Sequence, residues 1–350
     1  MTLASAMRSG VLAIMVAVGA ISVAAVASAQ TAEEFYRGKT INMIIGTGSS
    51  SGAVGAYPHS LSQVIGDYIP GHPAFVVRNM PGAGGIVAAN YIYGIAPQDG
   101  LTWGFITRGF MLAPMLNRPQ ATFKPERFQW IGSPARTVSV GLVWTASTGV
   151  RTLEDAMKRE VVVGATTLAQ DTGVYPTMLN RFLGTRFKIV SGYKSVGDVD
   201  LAMERGEVQG KIGSTWGSLN SGRTAVWVSD RTVTVLVQLG LAKAHDIPAS
   251  VPLALDYAKS PDDRQVMELI CAPSEAGYPS FMGPDVPKER VAAIRAAFVK
   301  TMNDPRFAEA LKKQNLDLDP IPAADIEKVV KRLYAMPEPI KQAARELMPE

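Results

Sequence analysis

The sequence has little of the chemistry that enzymes, metal proteins and nucleic-acid binders commonly need. Its 350 residues include one cysteine and three histidines. One cysteine excludes a disulfide framework and a cysteine-based zinc cluster. Cys271 lies in the apolar stretch MELICAPS, which favours a buried core position over a nucleophile. No metal-binding motif or cofactor motif is present, and we expect neither a metal nor a cofactor.

The excess of positive over negative charge is also small. The net charge is +4, and the lysines and arginines are scattered rather than grouped. Nucleic-acid binding domains carry basic blocks or stripes, so the sequence gives no sign of a nucleic-acid partner.

Long apolar runs are confined to the N-terminus. Arg8 precedes an apolar run over residues 11–26, and Ala-Ser-Ala follows at 27–29. This pattern predicts a signal peptide over residues 1–29 that is cleaved after Ala29, with an uncleaved anchor as the alternative. Export without disulfides fits the bacterial periplasm.

The remaining chain alternates strand-like and helix-like segments. Strands are predicted at 41–46, 75–80, 101–107, 138–144, 161–166, 187–193, 210–215 and 233–240. Helices are predicted between them at 86–93, 152–159, 174–183 and 198–205, and near the C-terminus at 288–300, 305–314 and 325–334. This alternation, with Val- and Ile-rich strands, predicts an α/β fold with mostly parallel sheets.

Small polar residues and glycines follow the strands. They occupy the predicted strand ends at 47–55, 107–109, 166–173, 191–193 and 214–218. Ligands of open α/β sheets bind outside the carboxyl ends of the strands, and helix N-termini there favour anions. Five such loops in one chain favour a donor-rich cleft over a set of ordinary turns.

The loop after the first strand, GTGSSSGAVG, admits three interpretations. A dinucleotide loop fits poorly because the glycine spacing is wrong and Val54 replaces the last glycine. Gly48-x-Ser50-x-Gly52 satisfies the nucleophile-elbow pattern of a secreted serine hydrolase, with Asp171 or Asp230 and then His245 following in the order of that fold. Against this, no oxyanion motif precedes the loop, and His245 lies in a segment typical of a surface loop. The third interpretation is a loop that binds a carboxylate without catalysis.

A family resemblance supports the third interpretation. The order FYRGKTINMIIG, a Gly/Ser loop and NMPGAGGIVAANYIYGIAPQDG resembles the substrate-binding proteins of tripartite tricarboxylate transporters. The resemblance continues through LAMERGEVQGK and VPKERVAAIRAAFVKTMNDPRF and covers essentially the whole chain after the predicted signal peptide. The PGAGG turn together with APQDG is its more specific part.

The resemblance implies a two-lobed periplasmic binding protein of type II, a Venus flytrap in which each lobe is an α/β sandwich with a mostly parallel sheet. Lobe one would comprise residues 31–134 and 272–350, and lobe two residues 135–271. It implies a monomeric protein, not an enzyme. Such a protein captures a small organic acid and delivers it to integral membrane permease subunits. A signalling role in place of transport stays open.

In that family one loop from each lobe grips a ligand carboxylate, which here matches residues 47–55 and 165–172. The first loop departs from the family's usual G-G-G-x-D: it has no acidic residue and has serines where glycines are common, which leaves the ligand class open. Arg108 is either a cation in the cleft or a surface arginine paired with a local acid, and Trp216 is either a cleft wall or a core residue. No catalytic or metal-binding residues are expected, and the candidate ligand-binding residues are Thr47, Gly48, Ser49, Ser50, Ser51, Gly52, Thr107, Arg108, Thr166, Thr167, Gln170, Asp171, Thr172, Tyr193, Ser214, Thr215 and Trp216.

Overall fold

The computed structural model describes residues 30–48, 53–219 and 222–347. From Ala32 on, the chain forms one compact unit. The predicted signal peptide lies outside the described residues. Within the described ranges, no helix combines the length and apolar character needed to cross a membrane.

The elements alternate as the sequence predicts. The strands are β1 (Thr40–Ile45), β2 (Ala74–Asn79), β3 (Thr102–Phe105), β4 (Gln129–Ser133), β5 (Ser139–Trp144), β6 (Glu160–Ala165), β7 (Arg186–Ser191), β8 (Gly210–Thr215), β9 (Val233–Leu239), β10 (Ser280–Met282) and β11 (Ile321–Pro322). The α-helices are α1 (Ala32–Tyr36), α2 (Ala53–Ser62), α3 (Ile86–Asn90), α4 (Thr145–Thr148), α5 (Leu153–Lys158), α6 (Asp171–Leu183), α7 (Val196–Glu204), α8 (Trp216–Leu219), α9 (Gly222–Ser229), α10 (Pro261–Cys271), α11 (Lys288–Met302), α12 (Pro305–Lys312), α13 (Ala323–Tyr334) and α14 (Glu338–Leu347).

The strands form two sheets with the same internal order. The first sheet is β2-β1-β3-β10-β4-β11 and the second is β7-β6-β8-β5-β9. In each sheet four strands run in one direction, and one inner strand lies antiparallel to them. This strand is β10 in the first sheet, between β3 and β4, and β5 in the second sheet, between β8 and β9. In both sheets it is the strand at which the chain arrives from the other sheet. The two-residue β11 adds an antiparallel edge to β4. The predicted α/β class with two mostly parallel sheets is confirmed.

Burial on both faces explains the unbroken apolar character of inner strands such as β1. In β1, Ile41 and Met43 pack on one face with Trp103, whereas Ile44 packs on the other with Phe281. A strand covered on both faces needs apolar residues at successive positions, so its sequence does not alternate. The eight predicted strands all form; β4, β10 and β11 were not predicted.

The chain passes between the sheets twice, and the two crossing segments touch. The Tyr278 N–H donates to Ser133 Oγ at 2.8 Å, and that hydroxyl donates to the Ala135 carbonyl at 2.9 Å. Gly277 has φ +61°, and a Cβ at this position would lie 2.0 Å from the Ala135 oxygen. Only glycine fits such an approach. Cys271, at the end of α10 just before this segment, is fully buried, as predicted.

A candidate ligand-binding cleft between the two sheets

The loops after β1, β2 and β3 are tied together at one edge of the first sheet. Asn79, the last residue of β2, donates from its amide nitrogen to the Thr47 carbonyl at 2.9 Å. The Thr107 hydroxyl donates to the Gly84 carbonyl, in the PGAGG turn, at 3.3 Å. The three strands are parallel, so their carboxyl ends meet at this edge. Ser49, Ser50, Ser51 and Gly52 lie outside the described residues.

The loop after β6 forms a compact hydroxyl cluster at the corresponding edge of the second sheet. The Thr166 hydroxyl donates to Gln170 Oε1 at 2.7 Å and lies 2.9 Å from Thr172 Oγ1. The Thr166 N–H donates to the same Thr172 oxygen at 3.1 Å. Thr167 is exposed and makes only a long contact of 3.5 Å with Gln170. Helix α6 begins at Asp171, so its positive dipole end opens beside this cluster.

Replacing Thr166 with valine tests whether the hydroxyl cluster stabilises this loop. Valine keeps the branched shape but removes the hydroxyl, and we expect the free energy of unfolding to fall by about 1 kcal/mol. The matched variant Thr167→Val removes an exposed hydroxyl and is expected to change it by less than about 0.5 kcal/mol. Urea unfolding followed by circular dichroism measures both, and equal effects would contradict the cluster's role.

The two loop-bearing edges face each other. A Cβ added at Gly84, from the first sheet's loops, would lie 3.8 Å from Gln170 Cγ. The Tyr278 hydroxyl donates to Thr215 Oγ1, at the end of β8, at 3.2 Å. The structure therefore brings Thr107, Arg108, Gln170, Asp171 and Thr215 to a common region between the sheets.

Arg108 reaches across this region. Its side chain is 5% exposed, and its Nη2 donates to Asp171 Oδ2 at 3.1 Å and to Ser139 Oγ at 2.7 Å. The surface alternative drawn from the sequence is wrong, because Arg108 is buried and its partner acid lies 63 residues away in the chain. Arg108 is a buried cation whose counter-charge comes from the opposite sheet's α6.

The surroundings of Arg108 sustain its charge. Burial alone would lower the pKa of Arg108, but Asp171 and the hydroxyls of Tyr175 and Tyr278 outweigh burial, so the pKa is raised. Burial raises the pKa of Tyr175 and of Tyr278, which keeps both hydroxyls protonated and able to donate. Arg108 Nε is buried and has no hydrogen-bond partner among the described residues.

Two candidate residues of the second sheet, Trp216 and Ser214, are buried, whereas Tyr193 is only half-buried. Trp216 is 9% exposed and packs in an apolar cluster with Val140 and Leu219, as the core alternative predicts. Ser214 Oγ is buried and unpaired within the described ranges. Tyr193 is half-buried against the same cluster, and burial raises the pKa of its hydroxyl.

The region between the sheets also contains residues that the sequence did not predict, from α2 and from the C-terminal part of the chain. The Tyr57 and Tyr278 rings contact each other with centroids 4.8 Å apart. A Cβ added at Gly217, after β8, would lie 3.0 Å from Asp317 Oδ2. Burial and the nearby Asp246 raise the pKa of Asp317. No local motif marks these positions, because each depends on a contact between distant parts of the chain.

The hydrolase arrangement is not favoured. Asp171 bonds Arg108, and His245 is exposed in the loop after β9, as its sequence context predicts. Ser50 lies outside the described residues. Within the described ranges, no group of three or more His, Cys, Asp or Glu side chains is placed to hold a metal ion.

This is the fold of the periplasmic solute-binding proteins. Similar solved structures include a TctC solute-binding protein from Polaromonas, at 15% identity and a TM-score of 0.62 over 88% of this chain and 99% of that one. MatC from Rhodopseudomonas palustris with bound malate matches at 15% identity and a TM-score of 0.63 over 89% and 99%. Another R. palustris protein, with adipate, matches at 17% and 0.64 over 87% and 97%. No family model and no curated protein matches the sequence. The similar solved structures therefore confirm the resemblance to tricarboxylate-type binding proteins at the level of the fold.

Proposed function

We propose that this chain is a periplasmic solute-binding protein that captures a small carboxylate-bearing solute between two lobes. It would deliver the solute to the membrane permease subunits of a tripartite tricarboxylate-type transporter. The observation that carries the proposal is the pair of facing sheet edges, each with a loop that carries threonine hydroxyls. It is a binding site without catalysis.

The division of the strands between two sheets supports a two-lobed protein. Every strand of the first sheet falls within residues 31–134 and 272–350, and every strand of the second within 135–271. This distribution supports those boundaries for the strands, whereas Ile340, Ala344 and Leu347 of α14 pack in the same apolar cluster as Val161 and Ile212 of the second sheet. Ligand held between them would favour the closed form by its higher affinity for that form. Export through cleavage after Ala29 and a monomeric state complete the proposal.

Neutral donors would bind the carboxylate. The N-terminus of α6 offers backbone N–H groups and a positive dipole end. Hydrogen bonds to a charged carboxylate are roughly twice as strong as neutral ones, so several neutral donors suffice without a free counter-charge. Malate and adipate in the two R. palustris structures support an organic acid as the ligand class.

A thermal-shift screen of mono-, di- and tricarboxylates tests the proposal. An acid at about 100 times its Kd should stabilise the protein by about 2.7 kcal/mol. Neutral amides of the same acids serve as controls and should give no shift. Absence of a shift with every acid would contradict the proposal. So would ester hydrolysis that Ser50→Ala abolishes.

A further inference from the structure

The buried cations of the described chain already have partners. Arg108 and Lys211 are the lysine and arginine side chains buried there, at 5% and 1% exposure. Lys211 bonds Asp200 at 2.5 Å within the second sheet's own helix layer. Arg108 is the one that lies between the sheets, and Asp171 neutralises it at 3.1 Å.

Asp171 already occupies the counter-charge position beside Arg108, where a second ligand carboxylate could otherwise pair. It is the first residue of α6, and its Oδ2 accepts from the guanidinium of Arg108. A Cβ added at Gly109 would lie 3.5 Å from Asp171 Oδ1, which places the carboxylate against the opposite loop. Its side chain remains 35% exposed, so a neighbouring solute would feel its charge.

We propose that Asp171 acts as a built-in carboxylate and restricts the cleft to acids with a single carboxylate and an uncharged remainder. This inference rests on the proposed function and deepens it. The backbone N–H groups at the start of α6 can hold one carboxylate beside Asp171, but a second carboxylate would meet the Asp171 charge without further donors and find Arg108 already paired. Like charges within a few ångströms in a partly buried site repel each other strongly.

The rest of the interlobe region fits an uncharged remainder. The Asp317 carboxylate on the Gly217 side adds a second negative charge, which opposes another anion. Tyr278, which contacts the Tyr57 ring and donates to Thr215 Oγ1, adds neutral groups to this region. These groups offer a second carboxylate no counter-charge.

Calorimetric titration with matched acids tests the inference. The probes are hexanoate against adipate, and benzoate against terephthalate, because each pair differs by one carboxylate. The wild-type chain is expected to bind the monocarboxylate of at least one pair about tenfold more tightly than its dicarboxylate partner. Equal or tighter dicarboxylate binding would overturn the inference while leaving the proposed function intact. Binding of none of the four acids, with no hit in the wider screen, would instead overturn the proposed function.

Asp171→Asn separates a selective role from a structural one. The variant frees Arg108, so the Kd for the dicarboxylate should fall about tenfold while that for the monocarboxylate changes by less than about threefold. Asp262→Asn is the matched control, since Asp262 is exposed in the first turn of α10. The ratio of its Kd values for the monocarboxylate and the dicarboxylate should equal the ratio in the wild type. Equal changes for both acids in Asp171→Asn would show that Asp171 only joins the lobes and would overturn the inference. Circular dichroism checks that the variants fold. The ratio of the two Kd values in the wild-type chain tests the inference even if a variant fails to fold.

Discussion

Replacing Gly277 with alanine is expected to lower the free energy of unfolding by about 4 kcal/mol or more, an unusually large effect for one methyl group. The new Cβ would lie 2.0 Å from the Ala135 carbonyl oxygen and 2.7 Å from Ser133 Oγ. The backbone oxygen cannot rotate away, so both crossing segments must shift. Gly277 also has φ +61° and ψ −117°, a conformation that is essentially restricted to glycine. Urea unfolding followed by circular dichroism measures the loss.

Gly206→Ala is the matched control for this effect. Gly206 follows α7 with φ +75°, but a Cβ there would meet nothing within 4 Å. The variant therefore carries only the cost of a left-handed backbone, about 1 kcal/mol. If the two variants lost the same stability, the close contact between the crossing segments would have no energetic weight.

Replacing Arg108 with alanine is the second large effect. Removing one member of a buried ion pair leaves the other charge without a partner, and we expect the free energy of unfolding to fall by about 3 kcal/mol. The partial exposure of Asp171 keeps the loss towards the low end of such changes. Comparing Arg108→Ala, Asp171→Ala and the double variant in a mutant cycle isolates the coupling between the two residues.

Arg127→Ala provides the comparison for Arg108→Ala. Arg127 bonds Asp285 at 3.0 Å, nearly the same distance as in the Arg108 pair, but its side chain is 54% exposed. Exposed pairs contribute about 0–1 kcal/mol, because water screens them. A loss in Arg127→Ala as large as that in Arg108→Ala would contradict the importance of burial.

Local patterns predicted much of the fold. Runs such as INMII and VVVGA predicted β1 and β6 because burial on both faces requires consecutive apolar residues. The short β10 was missed because three residues between a proline and a glycine carry no periodic signal. Its strand character comes from pairing with β3 and β4 on either side, which only the folded sheet provides.

The candidate site was predicted in part for the same reason. Thr107, Thr166 and Thr215 follow apolar strands, and this local signal placed them at strand ends, where the structure has them. The ion pair between Arg108 and Asp171 joins two sheets, and Tyr278 enters from the second crossing segment. These contacts depend on chain topology rather than on neighbouring residues. The sequence therefore predicted Asp171 as a ligand-binding residue but did not indicate its pairing with Arg108.

Because β10 comes late in the chain, we expect the first sheet to be completed after the second during folding. The strands of the second sheet come from one continuous stretch of chain, whereas the first sheet stays divided between β3 and β4 until residues 280–282 arrive. Contacts between distant residues form slowly, because the loop must close before they stabilise anything. During that interval β3 and β4 present unpaired edges that can recruit other chains. We therefore expect the first sheet to be the slower and more aggregation-prone half of the molecule during synthesis and refolding.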